Sequence, residues 1–252
     1  MKISKKFNDS LLKAFSLVAV LWVVHIFQFV TNIDLGFLGI YPRHSWGIRG
    51  VITAPLIHAD WHHLISNSVP LLALGTTTFF FYERVALRSY LMIYLLTGLT
   101  VWILARDVFH IGASGVVYGL VSFIFWNGIF RKSLQSIVLA LIVTFLYSGY
   151  FAGILPNQEG ISWESHLLGG LVGIFVAYYF KEEIELAEKI EPASWELEPD
   201  KAAAFFLERD TFEKTKAERL REQEEKDANN TCLLYTSPSP RDATLSRMPS
   251  SA

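Results

Sequence analysis

Cysteine is almost missing from this chain, because Cys232 is the only one among 252 residues. A single thiol excludes an intrachain disulfide and a cysteine-based metal cluster. Charge is scarce as well, since Asp, Glu, Lys and Arg together make up 18% of the residues. The first apolar stretch, residues 11–30, lacks the small-residue cleavage site that ends a signal peptide. We therefore interpret that stretch as a first membrane span.

Apolar sequence is what the chain has in abundance. Hydrophobic residues account for 52% of it, and the mean hydropathy is +0.32, which is typical of a polytopic membrane protein. Six apolar segments have about the 17 to 25 residues that cross a bilayer core. They cover residues 11–30, 64–82, 89–105, 113–130, 134–155 and 163–180. The predicted fold is an all-α polytopic membrane protein with six transmembrane helices.

The basic residues predict how these segments are oriented, because Lys and Arg concentrate on the cytoplasmic side. With a cytoplasmic N-terminus, the inner side holds Lys2, Lys5, Lys6, Arg84, Arg88, Arg131, Lys132 and Lys181, whereas the outer side holds Arg43, Arg49 and Arg106. Six spans return the C-terminus to the cytoplasm. The second, fourth and sixth segments consequently all begin at the outer face.

Polar residues open each of those three segments. His63 and Asn67 open the second and share a helix face, being four residues apart. Ser114 opens the fourth segment and His166 opens the sixth. We expect these four side chains at one depth near the outer face, with His58 and His62 above them at the water boundary.

Two interpretations of Ser114 are open on its own sequence, HIGASGVVYG, which spans residues 110–119. Gly115 and Gly119 form a small-xxx-small pair, which indicates close helix packing. A serine on a bare backbone is also typical of a nucleophile. Gly169 and Gly173 lie on the face of His166, so packing of the two segments would bring His166 to Ser114. Tyr118, one turn below Ser114, would then stack on the imidazole.

Taken together, these motifs resemble the rhomboid intramembrane serine proteases. The resemblance covers residues 11–180 and rests on Gly112-Ala113-Ser114-Gly115 with Tyr118, on His58 through His63 to Asn67, and on Ser165-His166-x-x-Gly169-x-x-x-Gly173. It implies a six-helix bundle with a water-accessible cavity that opens to the outer side. It also implies hydrolysis of peptide bonds in or next to the transmembrane segments of membrane-protein substrates.

The same resemblance implies roles for individual residues. Ser114 is the nucleophile, and His166 is the general base and then the general acid. The oxyanion hole is formed by the Ser114 backbone N–H and the side chains of His63 and Asn67. Supporting positions are His58, Tyr118, Gly112, Gly115, Gly169 and Gly173. Two departures from the family pattern are Ser165, where Gly or Ala is usual, and Trp46 with Arg49 in place of an adjacent Trp-Arg pair.

The resemblance further implies partners and location. The partners are transmembrane protein substrates and the lipid bilayer, with no cofactor, no metal and no nucleic acid. The location is the inner (cytoplasmic) membrane of a bacterial cell, as a multi-pass protein with both termini cytoplasmic.

Two other functions are weighed against the protease. A catalytically inactive relative would bind membrane clients without cutting them, but such relatives lose the serine or the histidine. A haem or metal protein would use His58, His62, His63 and His166, yet these histidines are interleaved with Asn67 and glycines, unlike the paired histidines of a bis-histidine haem site. Glu164 is expected to be an exposed charge on the opposite face from His166. His25 is expected to be a hydrogen-bonded structural residue.

The tail differs sharply from the apolar body. Residues 181–227 hold 16 acidic and 9 basic residues, against 8 acidic and 13 basic in the rest of the chain. We predict a charged cytoplasmic tail over residues 181–230, with a helix around 211–227. Residues 231–252 turn abruptly to Ser, Pro and Thr. We interpret them as a non-native, disordered extension.

Overall fold

The structure is a computed structural model and describes residues 2–155, 162–183 and 213–235. Six long helices occupy the six apolar segments, with one short helix in the loop after the first. In chain order they are α1 (Lys2–Thr31), α2 (Gly50–Thr53, the short one), α3 (Trp61–Phe81), α4 (Ala86–Leu104), α5 (Ser114–Arg131), α6 (Leu134–Leu146) and α7 (Trp163–Tyr179). No β-strand occurs among the described residues. The expectation of an all-helical protein is confirmed.

Three of these helices are long and apolar enough to cross a membrane by length and composition. They are Ile3–Thr31, Trp61–Phe81 and Ala86–Leu104, and Leu134–Leu146 is a shorter apolar helix. Apolar side chains also cover the outside of the bundle, as on α6, where Leu141 and Phe145 are exposed. Large exposed apolar surface fits a lipid environment. The chain is an integral membrane protein.

Helix α5 is the centre of the bundle. It packs against α3, α4, α6 and α7, while α1 packs on α3. Its inward side chains, including Leu120, Phe123 and Ile124, are fully buried and meet Ile93 of α4 and Val176 of α7 in one core. Ser114 begins this helix, so the central element also carries the serine singled out by the sequence.

The fifth apolar segment does not form one continuous span. The expected segment ran from 134 to 155, but α6 ends at Leu146 and a 3₁₀ helix, Ser148–Ile154, follows. Gly149 and Gly153 fall in this stretch. Glycine is unfavourable inside an α-helix because it gives up more backbone freedom than other residues. The length predicted for this span was therefore wrong.

The loop between α1 and α3, called the outer loop after the side of the membrane on which it is expected, is built from short helical turns. These are Gly36–Leu38, Ser45–Arg49, α2 and Ala54–Leu56. Trp46 and Arg49 are three residues apart on a 3₁₀ helix, where such positions are nearly eclipsed, and the guanidinium lies 5.8 Å from the Trp46 ring. The pair that is not adjacent in sequence is thus brought into cation–π contact.

The tail forms a separate unit, residues 190–252. Within it the structure describes one helix, α8 (Lys216–Tyr235). This helix continues five residues past residue 230, where the charged tail was expected to end. Once started, a helix gains a hydrogen bond for each residue that it adds, so it extends past the break in composition. Residues 184–212 and 236–252 lie outside the described residues.

Candidate active site

Ser114 is presented by a tight turn at the start of α5. The preceding Gly112 has φ +99°, a conformation that residues with a side chain rarely adopt, and its N–H donates to the Ala54 carbonyl at 2.9 Å. A Cβ at Gly112 would lie 2.6 Å from Nε2 of His63. Glycine is therefore required here both by the backbone and by the neighbouring imidazole.

His166 faces Ser114 from the first turn of α7. Its Nε2 lies 2.8 Å from Ser114 Oγ, and its Nδ1 lies 2.8 Å from the carbonyl oxygen of Gly153. A carbonyl only accepts hydrogen bonds, so Nδ1 carries the proton of the neutral ring. Nε2 then presents its lone pair to the serine hydroxyl.

Gly153 is a functional position that the sequence reasoning missed. In a 3₁₀ helix its carbonyl would accept from residue 156, but that residue is Pro156, which has no N–H. The carbonyl is consequently available to His166. The proline three residues after a glycine in the sequence is the signal from which this acceptor was predictable.

Tyr118 supports the imidazole from one turn below Ser114. Its ring stacks on His166 with centroids 4.2 Å apart and an angle of 10° between the planes. Both rings are buried. The imidazole is thereby fixed by a hydrogen bond at one edge and by an aromatic face.

Glycines let α5 and α7 touch through their backbones. A Cβ at Gly169 would overlap the carbonyl oxygen of Gly115, and a Cβ at Gly173 would overlap that of Gly119. At Gly115 an added Cβ would lie 3.0 Å from the Ser165 carbonyl oxygen. The helix contact that brings His166 to Ser114 therefore depends on the small residues that the sequence indicated.

Comparison with known proteins agrees with this architecture. The family model of the Rhomboid domain matches residues 44–183, which is more than half of the chain and contains Ser114 and His166. The chain belongs to the rhomboid family. The resemblance drawn from the motifs is confirmed.

Relatives of this rhomboid protein occur in bacteria and plants. Uncharacterised proteins of Mycobacterium bovis and Mycobacterium tuberculosis are 36% identical over 174 residues, covering 64% of this chain and 71% of theirs. A protein of Arabidopsis thaliana named "Rhomboid-like protein 11, chloroplastic" is 27% identical over 182 residues, covering 56% of this chain and 61% of its own.

His63 and Asn67 were expected beside Ser114 and His166, the pair called the dyad below. The two side chains make different contacts in this rhomboid domain. His63 directs its ring at Gly112, two residues before Ser114. Asn67 is buried, and its Nδ2 donates to the His63 carbonyl at 2.8 Å within α3. No hydrogen bond among the described residues joins Asn67 to Ser114. One N–H of the amide is thus used inside the helix and the other is uncommitted.

His58 lies deeper than expected. It was predicted at the water boundary, but it is completely buried, and its ring meets His63 edge-on at 5.0 Å. The turn Ala54–Leu56 folds inward and carries His58 beneath the surface, whereas the neighbouring His62 is exposed. Burial, reinforced by the nearby His63, lowers the pKa of His58 to about 4.

Two further expectations are corrected. Glu164 is buried instead of exposed, and its Oε1 lies 3.0 Å from Nε of Arg106. The loop before α5 covers the start of α7, so a face that looks outward on an isolated helix is enclosed in the fold. His25 is held by edge contact with Trp61 at 4.5 Å, and its Nδ1 has no hydrogen-bond partner among the described residues.

An apolar cavity of about 320 Å³ lies between α5, α6 and α7 and reaches Tyr118. Its other lining residues include Val121, Phe125, Trp126, Tyr147, Leu167 and Leu171. Apart from a few hydroxyls such as Thr144 and Ser122, this lining offers little polar surface. The cavity suits an apolar side chain next to the dyad.

Proposed function

We propose that this rhomboid protein is an intramembrane serine endopeptidase that hydrolyses peptide bonds in or next to transmembrane segments of membrane-protein substrates. The observation that carries the proposal is the 2.8 Å contact between Ser114 Oγ and His166 Nε2, with Nδ1 bound to Gly153. An oriented base beside a hydroxyl is the arrangement that activates a serine.

The first step is attack of Ser114 Oγ on the scissile carbonyl carbon. As the new C–O bond forms, His166 Nε2 takes the hydroxyl proton and the ring becomes an imidazolium. The Gly153 carbonyl accepts from Nδ1 throughout and favours the charged ring. His166 then gives the proton to the leaving amine, and the C–N bond breaks to leave an acyl-serine.

Three donors are proposed for the negative oxygen of the tetrahedral intermediate. Ser114 is the first residue of α5, so its N–H is among those with no acceptor inside the helix, and it lies at the positive end of the helix dipole. His63 beside Gly112 and the uncommitted N–H of Asn67 complete the proposed oxyanion hole.

Hydrolysis of the acyl-serine requires water. His166 accepts a proton from the attacking water, and the Ser114 oxygen leaves with that proton. We therefore propose a water-accessible cavity open to the outer side, with all six long helices crossing the bilayer and both termini in the cytoplasm. The bacterial inner membrane is the proposed location, in keeping with the mycobacterial relatives.

Cleavage of a fluorogenic transmembrane peptide by the detergent-solubilised protein tests this proposal. Ser114→Ala and His166→Ala are expected to lower kcat by about 10⁴-fold or more, because the dyad acts as a unit. Only the wild type should react with a fluorophosphonate at residue 114. Unchanged thermal unfolding would show that both variants fold.

The alternatives give different results in the same preparation. Cleavage by Ser114→Ala at the wild-type rate would refute the mechanism. Peptide binding without any cleavage that depends on Ser114 would indicate an inactive client-binding relative. A stoichiometric metal or haem content, with activity lost on its removal, would indicate the histidine-based alternative.

A further inference from the structure

A second polar cluster connects the same two elements as the dyad, and the proposed reaction does not use it. His110 is 2% exposed and lies four residues before Ser114. Ser162 is the N-cap of α7 and lies four residues before His166. Nδ1 of His110 and Oγ of Ser162 are 2.5 Å apart. Each dyad residue is therefore preceded, at the same spacing, by a residue of this cluster.

The hydrogen bonds of the cluster have a defined direction. Nε2 of His110 lies 3.1 Å from the Arg106 carbonyl oxygen, so Nε2 carries the proton and Nδ1 accepts from the Ser162 hydroxyl. Ser162 Oγ in turn accepts from the Ser165 hydroxyl at 2.6 Å and caps the Ser165 N–H. Burial lowers the pKa of His110 and outweighs the hydrogen bond to the Arg106 carbonyl and the charge of Glu164, which both raise it; the charge of Arg106 lowers it further. The neutral ring that accepts from Ser162 is thus the stable form at neutral pH.

Other bonds fix both sides of this contact. On the loop side, His110 and Ile40 exchange two backbone hydrogen bonds of 2.9 Å. Next to the cluster, Arg106 of the same loop pairs with the buried Glu164 of α7. The start of α7 is therefore tied to the loop that leads into α5, and that loop is tied to the outer loop.

The glycine contact cannot do this by itself. Gly115 against Gly169 sets how closely α5 and α7 approach, but a smooth small-residue groove resists sliding and rotation only weakly. A displacement of reacting groups by about 1 Å lowers the rate by about 10²-fold. A directional hydrogen bond one turn before His166 supplies the restraint along the helix axis.

We infer that His110 and Ser162 are positioning residues that form a latch, the His110 Nδ1–Ser162 Oγ hydrogen bond, which sets the axial position of α7 and so the Ser114–His166 distance. The inference rests on the proposed protease function. Neither residue touches the reacting atoms. The latch acts on the chemical step, so its loss lowers kcat while KM is retained.

Ser162→Ala removes the hydroxyl, Ser162→Thr keeps it, and Ser133→Ala is the matched control. Ser133 is likewise an N-cap, accepting from the Ser136 N–H at the start of α6, at the opposite end of the bundle. For Ser162→Ala we expect kcat and fluorophosphonate labelling of Ser114 to fall about tenfold to 10²-fold, with KM within about twofold. Ser162→Thr and His110→Gln should retain most of the wild-type kcat. Ser133→Ala should lower the unfolding temperature similarly and leave kcat unchanged.

A kcat for Ser162→Ala equal to that of Ser133→Ala would overturn the latch while leaving the protease intact. If the wild type shows no reaction that depends on Ser114, the proposed function fails, and the latch is judged by chemical cross-linking. In a Cys232→Ser background, Ser114→Cys with His166→Cys is bridged by a short bifunctional thiosulfonate. The latch requires Ser162→Ala, and not Ser133→Ala, to slow that bridging several-fold; equal rates would refute it.

Discussion

At the scale of single residues, the orientation of His166 is the feature on which the proposed chemistry depends most. A backbone carbonyl, that of Gly153, occupies the position beside Nδ1 that a carboxylate takes in a triad. A neutral acceptor fixes the tautomer as well as a carboxylate does, but it stabilises the imidazolium less. Stacking of Tyr118 on the imidazole helps to hold its orientation, since it restricts rotation of the ring about the hydrogen bond to Gly153.

Asn67→Ala tests the oxyanion hole. We expect kcat to fall by about 10²- to 10³-fold, because a donor to the developing charge is lost, while loss of its bond to the His63 carbonyl lowers stability by only about 1 kcal/mol. Asn127→Ala is the matched control, since Asn127 Nδ2 makes the same bond, to the Phe123 carbonyl of α5, at 2.8 Å. Peptide cleavage and thermal unfolding measure the two effects. Equal loss of kcat in both variants would make Asn67 structural.

His58 predicts a pH dependence of stability. Its folded-state pKa of about 4 lies below the ordinary 6.5. Between these two pH values His58 is therefore protonated in the unfolded chain and neutral in the folded protein. Stability should therefore fall as the pH drops from about 6.5 to about 4, by up to about 3 kcal/mol from this residue. Unfolding temperatures across that range, compared with those of His58→Gln, measure the contribution. An identical pH slope in the variant would contradict it.

At the scale of elements, the contact between α5 and α7 dominates. Both helices expose backbone at their glycines, so main-chain atoms meet without intervening side chains. Small residues serve this purpose in membranes, where apolar helices gain little by leaving lipid. The separation of the helices, and with it the reach of His166, is therefore decided by the absence of methyl groups.

Gly169→Ala tests this contact. An added methyl would overlap the Gly115 carbonyl, so the helices must separate; we expect activity to fall by at least about 10²-fold and stability by about 1–3 kcal/mol. Gly170→Ala is the control for stability, because a Cβ there meets no other protein atom within 4 Å, although Gly170 lines the apolar cavity. Activity and unfolding of the two variants are compared directly. Equal tolerance of both alanines would mean that the close approach is dispensable.

The break after α6 shows where element boundaries escape sequence reasoning. Residues 134–155 are apolar apart from Gln135 and scattered small and hydroxyl residues, so hydropathy gives one span. The glycines and Pro156 favour a break in the helix there. The break also depends on the hydrogen bond that His166 Nδ1 donates to the Gly153 carbonyl. A local cost in helix hydrogen bonding is offset by a contact thirteen residues away.

At the scale of the whole molecule, α5 is the central one of six long helices. Ser114, His166 and the outer loop meet at one end of this helix bundle. The opposite end of the bundle carries salt bridges, such as Arg88 with Glu183 at 2.6 Å and Lys6 with Glu83 at 3.0 Å.

The single cysteine offers a direct test of the orientation predicted from the basic residues. A membrane-impermeant maleimide should label Cys232 in spheroplasts only after permeabilisation, because the C-terminal tail is expected in the cytoplasm. In a Cys232→Ser background, Ser45→Cys should be labelled in intact spheroplasts, since Ser45 is exposed in the outer loop. Labelling of Cys232 without permeabilisation would reverse the proposed topology.

The sequence alone determined the class of protein, the order of the helices and the polar residues, Ser114 and His166 above all, that begin them. Apolar segments and the spacing of small residues are properties of the local sequence, so they can be recognised without the tertiary structure. Only the tertiary structure decided that Glu164 and His58 are buried, that Gly153 orients His166, and that His110 meets Ser162. Each of these depends on a loop folding over a helix end, and no pattern within one segment records what another segment covers.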